Sequence, residues 1–485
     1  MVEPSAAGKP AGRLSTAGGR ATLGLLCMSF LVDVMGATSI FGASPAIAQA
    51  LHLSAAGLQW IVVAATVPAG AILLVGGWLA DLLGPRRMFL TGLALLLATS
   101  LASGLAPGAA VLIAARAGQG TAGALLMPAA LSLILETFNG QAEQRTALAA
   151  WSAIGGIGAT AGLLLGGAVT AGLGWRWVFL INVPVTAAML AASPLVLAEP
   201  TGRDSSRRAD VAGTASFSIG IALVIYAISQ VPALGWASWR TFGPGLAAIA
   251  VVAAFIRIEA RSASPIVPSW LARSPTIVAG NATMVVAGMF VDGALFIFTL
   301  FTQRVWGYSA LHFGAVAAVM TTTSVAASWI AQRAIARLGT RQVTAAGLGL
   351  LCLTGATLAM TTYSGGGTAM LIVSMMLFGI GMGWAFVAGS VAALHGVSEE
   401  HSGVAAAVQN ISFTIGSALG VAILSAVAAT TTSYVSSRAT TAPVAALTAG
   451  YRAAFIAAAV IAMIGLATTA AITRTMRAGH SFRAP

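Results

Sequence analysis

Only twelve residues of this 485-residue chain are acidic, and just two of them, Asp33 and Asp292, sit deep inside long apolar runs. A carboxylate at mid-membrane depth costs roughly 2.5–3.5 kcal/mol on insertion scales, so it usually faces a cavity or a partner. Burial favours the protonated form of such a group, and a nearby cation favours the ionised form. An acid whose exposure alternates can therefore load and release a proton, or hold a cationic ligand. Two static readings stand beside this one: an ion pair of Asp33 with Arg116, or an acid that tolerates a wet cavity. Arg116 is the single lysine or arginine inside an apolar run, within reach of Asp33. It either joins the proton chemistry or fixes one helix against another. Gln119, Gln409 and Asn410 are candidates to line a cavity, although for the last two interhelical hydrogen bonds serve equally well. Trp384, with Phe290, Phe296 and Phe298, offers an aromatic wall for a flat apolar ligand; packing is the plainer role for such rings.

Apolar runs must position these residues. Charged residues make up 7% of the chain and hydrophobic ones 58%, with a mean hydropathy of +0.92. Soluble domains average about 25% charged, so the composition is that of an all-α integral membrane protein. Runs of roughly 20 apolar residues recur, each able to cross a hydrocarbon core of about 30 Å. Fourteen are read, at 22–46, 58–79, 88–106, 109–136, 147–172, 178–198, 211–230, 242–259, 277–300, 310–332, 343–363, 368–394, 402–428 and 451–473. The first is too long for a signal-peptide core of about 7–15 residues and is read as a retained span.

The net charge of +12 would suggest nucleic acid in a soluble protein. Here it reports orientation instead. With both termini cytoplasmic, eighteen of the 24 Lys and Arg residues fall on the cytoplasmic side, five outside and one within a span, as the positive-inside rule requires. Trp60, Trp175, Trp177, Trp236, Trp239 and Trp306 then collect near the outer helix ends, where an aromatic belt belongs. The bilayer is thus the one certain partner, and nothing points to nucleic acid. Cys27 and Cys352 both lie in apolar runs and read as buried free thiols.

The two halves repeat. LGPRRMFLTG (83–92) aligns without gaps to LGTRQVTAAG (338–347), and Gly162 and Gly166 match Gly416 and Gly420. Parallel repeats of this kind build transporters around a midplane site. The expected division is a cytoplasmic tail (1–20), a six-helix bundle (21–198), a loop with two additional helices (199–275), a second six-helix bundle (276–473) and a cytoplasmic tail (474–485).

Several motifs carry a family resemblance. GGWLADLLGPRRMFL (76–90) resembles the loop signature of the major facilitator superfamily, G-x-L-a-D-r-x-G-r-K/R, with Leu82 and Pro85 replacing two basic positions. ARAGQGTAGA (115–124), WRWVFLINVP (175–184), GIGMGWAF (379–386) and GVAAAVQNISFTIGSALGVA (403–422) are similar to stretches of its fourteen-span drug:proton antiporter family. Two positions depart from that family. GATAGLLLGG (158–167) keeps the glycines of the antiporter motif, Gly158, Gly162, Gly166 and Gly167, but has Leu163 where proline is expected. Anchoring on Pro45 and Ala37-Thr38 places Gly36 where the family has its helix 1 acid, and Asp33 stands one turn earlier.

The resemblance implies a major facilitator fold of two six-helix bundles plus two central helices. It further implies a non-enzymatic, proton-coupled exporter of amphipathic or aromatic small molecules, in a cell membrane and without a cofactor. A narrow-specificity metabolite transporter is the alternative on the same fold, and a non-transporting receptor or scaffold is a third. Asp33, Arg116 and Asp292 become the proton-coupling or substrate residues. Gly77, Asp81, Gly84, Arg86 and Arg87 become a latch for conformational exchange, because they lie on the cytoplasmic surface and Ala336 replaces Asp81 in the second half. The G-x-G-x-x-G of residues 118–123 lies inside an apolar helix with no preceding strand, so its glycines read as helix contacts rather than a dinucleotide site. His395, Glu399, Glu400 and His401 match no recognised metal spacing. The chain has no Walker A sequence, so ATP does not drive it directly.

Overall fold

In lipid, a backbone that must satisfy its own hydrogen bonds forms helices or closed barrels. Here the solution is helical. The computed structural model describes residues 14, 16–138, 140–197, 211–234, 238–259, 261, 269–364, 367–398, 402–438 and 443–481, and no strand occurs among them. The polar stretch 199–210, Trp236, Glu399, Glu400 and His401 lie outside the described residues, as does the side chain of Asp81.

The first bundle contains α1 (Ala17–Ala50), α2 (Ala55–Leu83), α3 (Pro85–Gly104), α4 (Ala109–Thr137), α5 (Gln141–Gly172), the short α6 (Trp177–Leu180) and α7 (Asn182–Val196). Two helices follow, α8 (Val211–Leu234) and α9 (Trp239–Glu259), then the short α10 (Ser269–Arg273). The second bundle opens with one rod made of α11 (Pro275–Gly288), a π-helical segment (Met289–Ala294) and α12 (Leu295–Arg304). It continues with α13 (Ala310–Leu338), α14 (Thr340–Ser364), α15 (Gly367–Ala393), α16 (Ser402–Arg438) and α17 (Pro443–Ser481).

Helix starts are set by local chemistry. Thr16, Ser54 and Ser309 each accept, on the side-chain oxygen, the backbone N–H three residues on, capping α1, α2 and α13. Gly84 ends α2 at φ +94°, and Gly339 ends α13 at φ +85°. Both sites need a residue that tolerates positive φ, which is why these two glycines survive in the repeat.

Among the described residues, twelve spans are long and apolar enough to cross a membrane. The pair between the bundles is a distinct case, with apolar stretches 216–227 and 242–258. α8 packs against both α2 and α16, and α9 packs on α8. Ile221 and Ile225 of α8 are buried in the core cluster that both bundles share. Within the segment expected as a loop with two additional helices, α8 therefore lies along the seam between the bundles. Three ends differ most from the sequence reading: α16 runs ten residues beyond 428, to Arg438, and α17 begins at Pro443 rather than 451 and ends at Ser481 rather than 473.

The glycine repeat has a physical meaning. A Cβ at Gly162 or Gly166 of α5 would fall 2.6 Å from Met35 O and 2.5 Å from Ser39 O of α1. At Gly416 and Gly420 of α16 it would fall 2.0 Å from Val285 O and from Met289 O. The fifth helix of each bundle thus lies backbone-to-backbone against the first. Gly158 also packs on α1, where a Cβ would meet Leu31 O at 3.1 Å. Gly167 faces the other bundle, at Ala310 O, and Gly314 of α13 faces Leu163 O in return. The two bundles meet there, with Leu163 fully buried at the position of the family's proline.

Candidate functional site

A cavity of about 310 Å³ lies where the bundles meet, at the lower end of the range for small-molecule sites. The first bundle supplies Asp33, Gly36, Thr38 and Phe41 of α1, residues of α2, and Arg116, Gln119, Gly123 and Met127 of α4. Asn182, at the start of α7, completes that wall. The second bundle supplies Asp292, Asn410, Phe413, Thr414 and Ser417. Asp33, Arg116, Gln119, Asp292 and Asn410 are thus gathered from four separated stretches into one space.

Arg116 is 3% exposed. Its Nε donates to Ile61 O at 3.3 Å, and its Nη1 to Gln119 Oε1 at 2.9 Å. Gln119 Nε2 donates onward to Ser100 Oγ at 3.2 Å. The guanidinium is therefore held by a chain linking α2, α3 and α4, while the charge of Asp33 acts on it through space. Such geometry leaves Arg116 hydrogen-bonded whatever charge Asp33 carries. Close helix contact makes this possible: a Cβ on Gly120 would overlap the Ala65 carbonyl, and one on Gly123 would come 2.7 Å from Asp33 Oδ1.

Asp292 is built differently. It lies in the π-helical segment, and its carboxylate accepts the Ser417 hydroxyl of α16. π-segments often mark functional positions, because the extra residue per turn redirects side chains. Gly420 faces Met289 as Gly166 faces Ser39, so Asp292, three residues past Met289, stands at the level of residue 42, nine residues beyond Asp33 (42 − 33 = 9). At 1.5 Å rise per residue the two acids are offset by about 13 Å along the helix axis. Asp33 stands nearer the end where α1 begins.

The remaining candidates fall elsewhere. Gln409 does not line the cavity; its Nε2 donates to Ser390 Oγ at 2.7 Å, tying α16 to α15. Trp384 packs beside Ala331, Val343 and Ala388 outside the cavity, and Phe290, Phe296 and Phe298 are fully buried in the core. Phe41 and Phe413 are the rings that do reach the cavity. Asn410 Nδ2 approaches Met127 Sδ at 3.6 Å across the seam. At the α2–α3 turn, Gly77 lies 3.9 Å from Pro128 Cβ, measured from an added Cβ, and Arg86 Nη2 donates to Pro194 O of α7 at 3.1 Å. Arg87 is exposed. The sequence reading did not single out Phe41, Asn182, Phe413, Thr414 or Ser417. All but Phe41 lie inside stretches read there only as whole motifs.

Two helical bundles meeting around a largely apolar cavity that holds buried charged groups define a membrane transporter with several spans. Residues 26–421 match the Major Facilitator Superfamily, and the chain belongs to that superfamily as a multi-pass protein of the cell membrane. Among its relatives, the tetracenomycin C resistance and export protein of Streptomyces glaucescens is 30% identical over 405 residues, covering 83% of this chain and 74% of that one. The lincomycin resistance protein of Streptomyces lincolnensis is 32% identical over 410 residues, covering 83% of each. The crystal structure of a bacterial homolog of the human lysosomal transporter Spinster, inward-facing and occupied, shares the fold with a TM-score of 0.69 at 16% identity, over 95% of this chain and 98% of that one.

Proposed function

We propose that this chain is a proton-driven exporter of amphipathic small molecules that works by alternating access between its two bundles. The observation that carries the reading is the cavity at their junction. It has one acid from each bundle and a hydrogen-bonded arginine beside the first. Relatives named for export of, or resistance to, antibiotics support the outward direction and the cargo class.

In this account α8 and α9 both cross the membrane, making fourteen spans, with both termini cytoplasmic. The wide apolar exposure of α9, at Phe242, Leu246, Ile249 and Ile256, suits a lipid-facing helix. Asp33 or Asp292 takes up a proton from outside and gives it up inside. Arg116, already satisfied by Ile61 O and Gln119, supplies a fixed positive field that helps the proton leave. Gly77, Asp81, Gly84, Arg86 and Arg87 form the cytoplasmic latch, and the Arg86 bond to Pro194 O anchors one side of it. The membrane potential contributes about 2.3 kcal/mol per charge per 100 mV, and a pH unit about 1.4 kcal/mol per proton. One proton thus sustains roughly two to three tenfold steps of cargo gradient.

Narrow specificity is the second reading, and the modest cavity of about 310 Å³ favours it. Accumulation of a panel of cationic, neutral and anionic compounds in cells, with and without a protonophore, tests both. Broad efflux abolished by the protonophore supports the first reading, and efflux of one compound class supports the second. Unchanged accumulation across the panel would contradict export altogether.

A further inference from the structure

One amide in the cavity wall has no partner. Asn182, at the start of α7, is 3% exposed, and among the described residues no hydrogen bond reaches either atom of its amide. The two atoms differ in where they lie. Oδ1 is enclosed by protein. Nδ2 faces Gly36 of α1: a Cβ added there would lie 3.6 Å from it, with no other side chain and no neighbouring backbone within 4 Å. Both residues line the cavity. The side chain missing at position 36 therefore leaves a recess whose nearest polar atom is an N–H donor. Buried polar groups in native structures are nearly always paired, and one left open at a cavity is where a ligand or a water completes the set.

The ionisable groups of the cavity point elsewhere. The Asp33 carboxyl lies against Gly123 of α4, where an added Cβ would come 2.7 Å from its Oδ1. Arg116, also on α4, already donates to Ile61 O and Gln119 Oε1, and Asp292 accepts from Ser417 in the second bundle. One turn of α1 thus presents its acid to α4 and its glycine to α7. The open group at the recess is a donor, so its occupant has to bring an acceptor. An anionic acceptor is disfavoured, because the wall holds two carboxylates against one guanidinium that is already hydrogen-bonded. A carbonyl oxygen meets both conditions, and the rings of Phe41 and Phe413 suit an apolar body behind it.

We propose that Asn182 is a specificity-determining residue of this cavity, its Nδ2 donating to a carbonyl oxygen of the cargo lodged in the recess at Gly36. This rests on the exporter reading and names a chemical feature of its cargo. It also separates two tasks on α1: the acid works toward α4, and the polar end of the cargo is read toward α7.

The test uses two neutral naphthalene probes and the full-length protein in lipid nanodiscs, with the signal of empty nanodiscs subtracted. Prodan carries a propionyl carbonyl, and its emission moves to the red when that oxygen accepts a hydrogen bond. Its propyl analogue has a methylene in place of the carbonyl. Bound Prodan should emit further to the red in wild type than in the near-isosteric Asn182→Leu. The Prodan-to-analogue affinity ratio should fall about fivefold in that variant, the size of one neutral hydrogen bond of about 1 kcal/mol. Gly36→Ala, which fills the recess at ordinary contact distance, should lower the ratio and shift the emission in the same direction. Asp33→Asn should leave the ratio within about twofold. Both probes are titrated on one sample, so a loss of folded protein affects both alike. A ratio or an emission maximum that does not move in either recess variant overturns the proposal. So does an equal fall in Asp33→Asn, which would put the polar contact on the acid's side. If wild type binds neither probe while other compounds are exported, this cargo feature falls and the exporter reading stands. If no compound in the wider panel is exported, both fall.

Discussion

Replacing Gly420 by alanine is the sharpest test of the seam between α16 and the π-helical segment. The new Cβ would lie 2.0 Å from Met289 O and 2.5 Å from Met289 Cα. Comfortable contact begins near 3.4 Å, so α16 must back away from the first helix of its bundle by about 1.4 Å at that level. Overpacking of this kind costs about 1–3 kcal/mol, while alanine in place of helical glycine returns about 0.5–1 kcal/mol. The net expectation is a destabilisation of about 1–2 kcal/mol. Gly349 in α14 is the internal control, because nothing lies within 4 Å of its added Cβ; there the same change should stabilise by about 0.5 kcal/mol. Equilibrium unfolding in mixed detergent–SDS micelles reads both. Met289 opens the segment that carries Asp292, and Ser417 lies one turn before Gly420. Gly420→Ala should therefore also reduce transport beyond its loss of folded protein. If Gly420→Ala unfolds like Gly349→Ala, the helices are not in backbone contact and the assigned packing is wrong.

Other expectations concern the first bundle. Gln119→Leu removes the acceptor of Arg116 Nη1 and the donor to Ser100. It should cost about 1–3 kcal/mol of stability in the same unfolding assay, and Gln119→Glu should recover most of that. Asp81→Asn should slow transport severalfold in vesicle flux assays while leaving substrate binding within about twofold; lost binding would contradict the latch. Thr414→Val keeps the shape of a cavity residue 2.9 Å from Gly70, measured from an added Cβ on α2. It should preserve folding and change cargo affinity by no more than about tenfold in equilibrium binding.

Much of this arrangement was legible in the chain itself. Hydropathy marks the spans because lipid forces the backbone to helix. The offset of Gly162 and Gly166 from Gly416 and Gly420 marks equivalent helices because only glycine permits their backbone contact with α1 and α11. Asp33, Arg116 and Asp292 stand out because charge at that depth demands a reason, and all three line one cavity. What was hidden depends on contacts distant in sequence. Asn182 reaches Gly36 only through the packing of α7 on α1, and Ser417 meets Asp292 across 125 residues. The π-helical turn at Met289–Ala294 has no local signature, since MFVDGA reads as ordinary apolar helix. Gln409 and Trp384 mislead for the same reason. A polar or aromatic residue on a membrane helix can face a cavity or a neighbouring helix, and periodicity does not distinguish them when all faces are apolar.

The central claim is that cargo movement and proton movement are one event run by the cavity acids. Its most direct test is proton flux in proteoliposomes that enclose a pH-sensitive dye and carry an imposed pH gradient, with an exported compound added. Wild type should show compound-dependent proton movement that collapses the gradient. Asp33→Asn or Asp292→Asn should abolish or sharply reduce it, and the double variant should show none. Compound-dependent proton flux at the wild-type rate in the double variant would contradict the account.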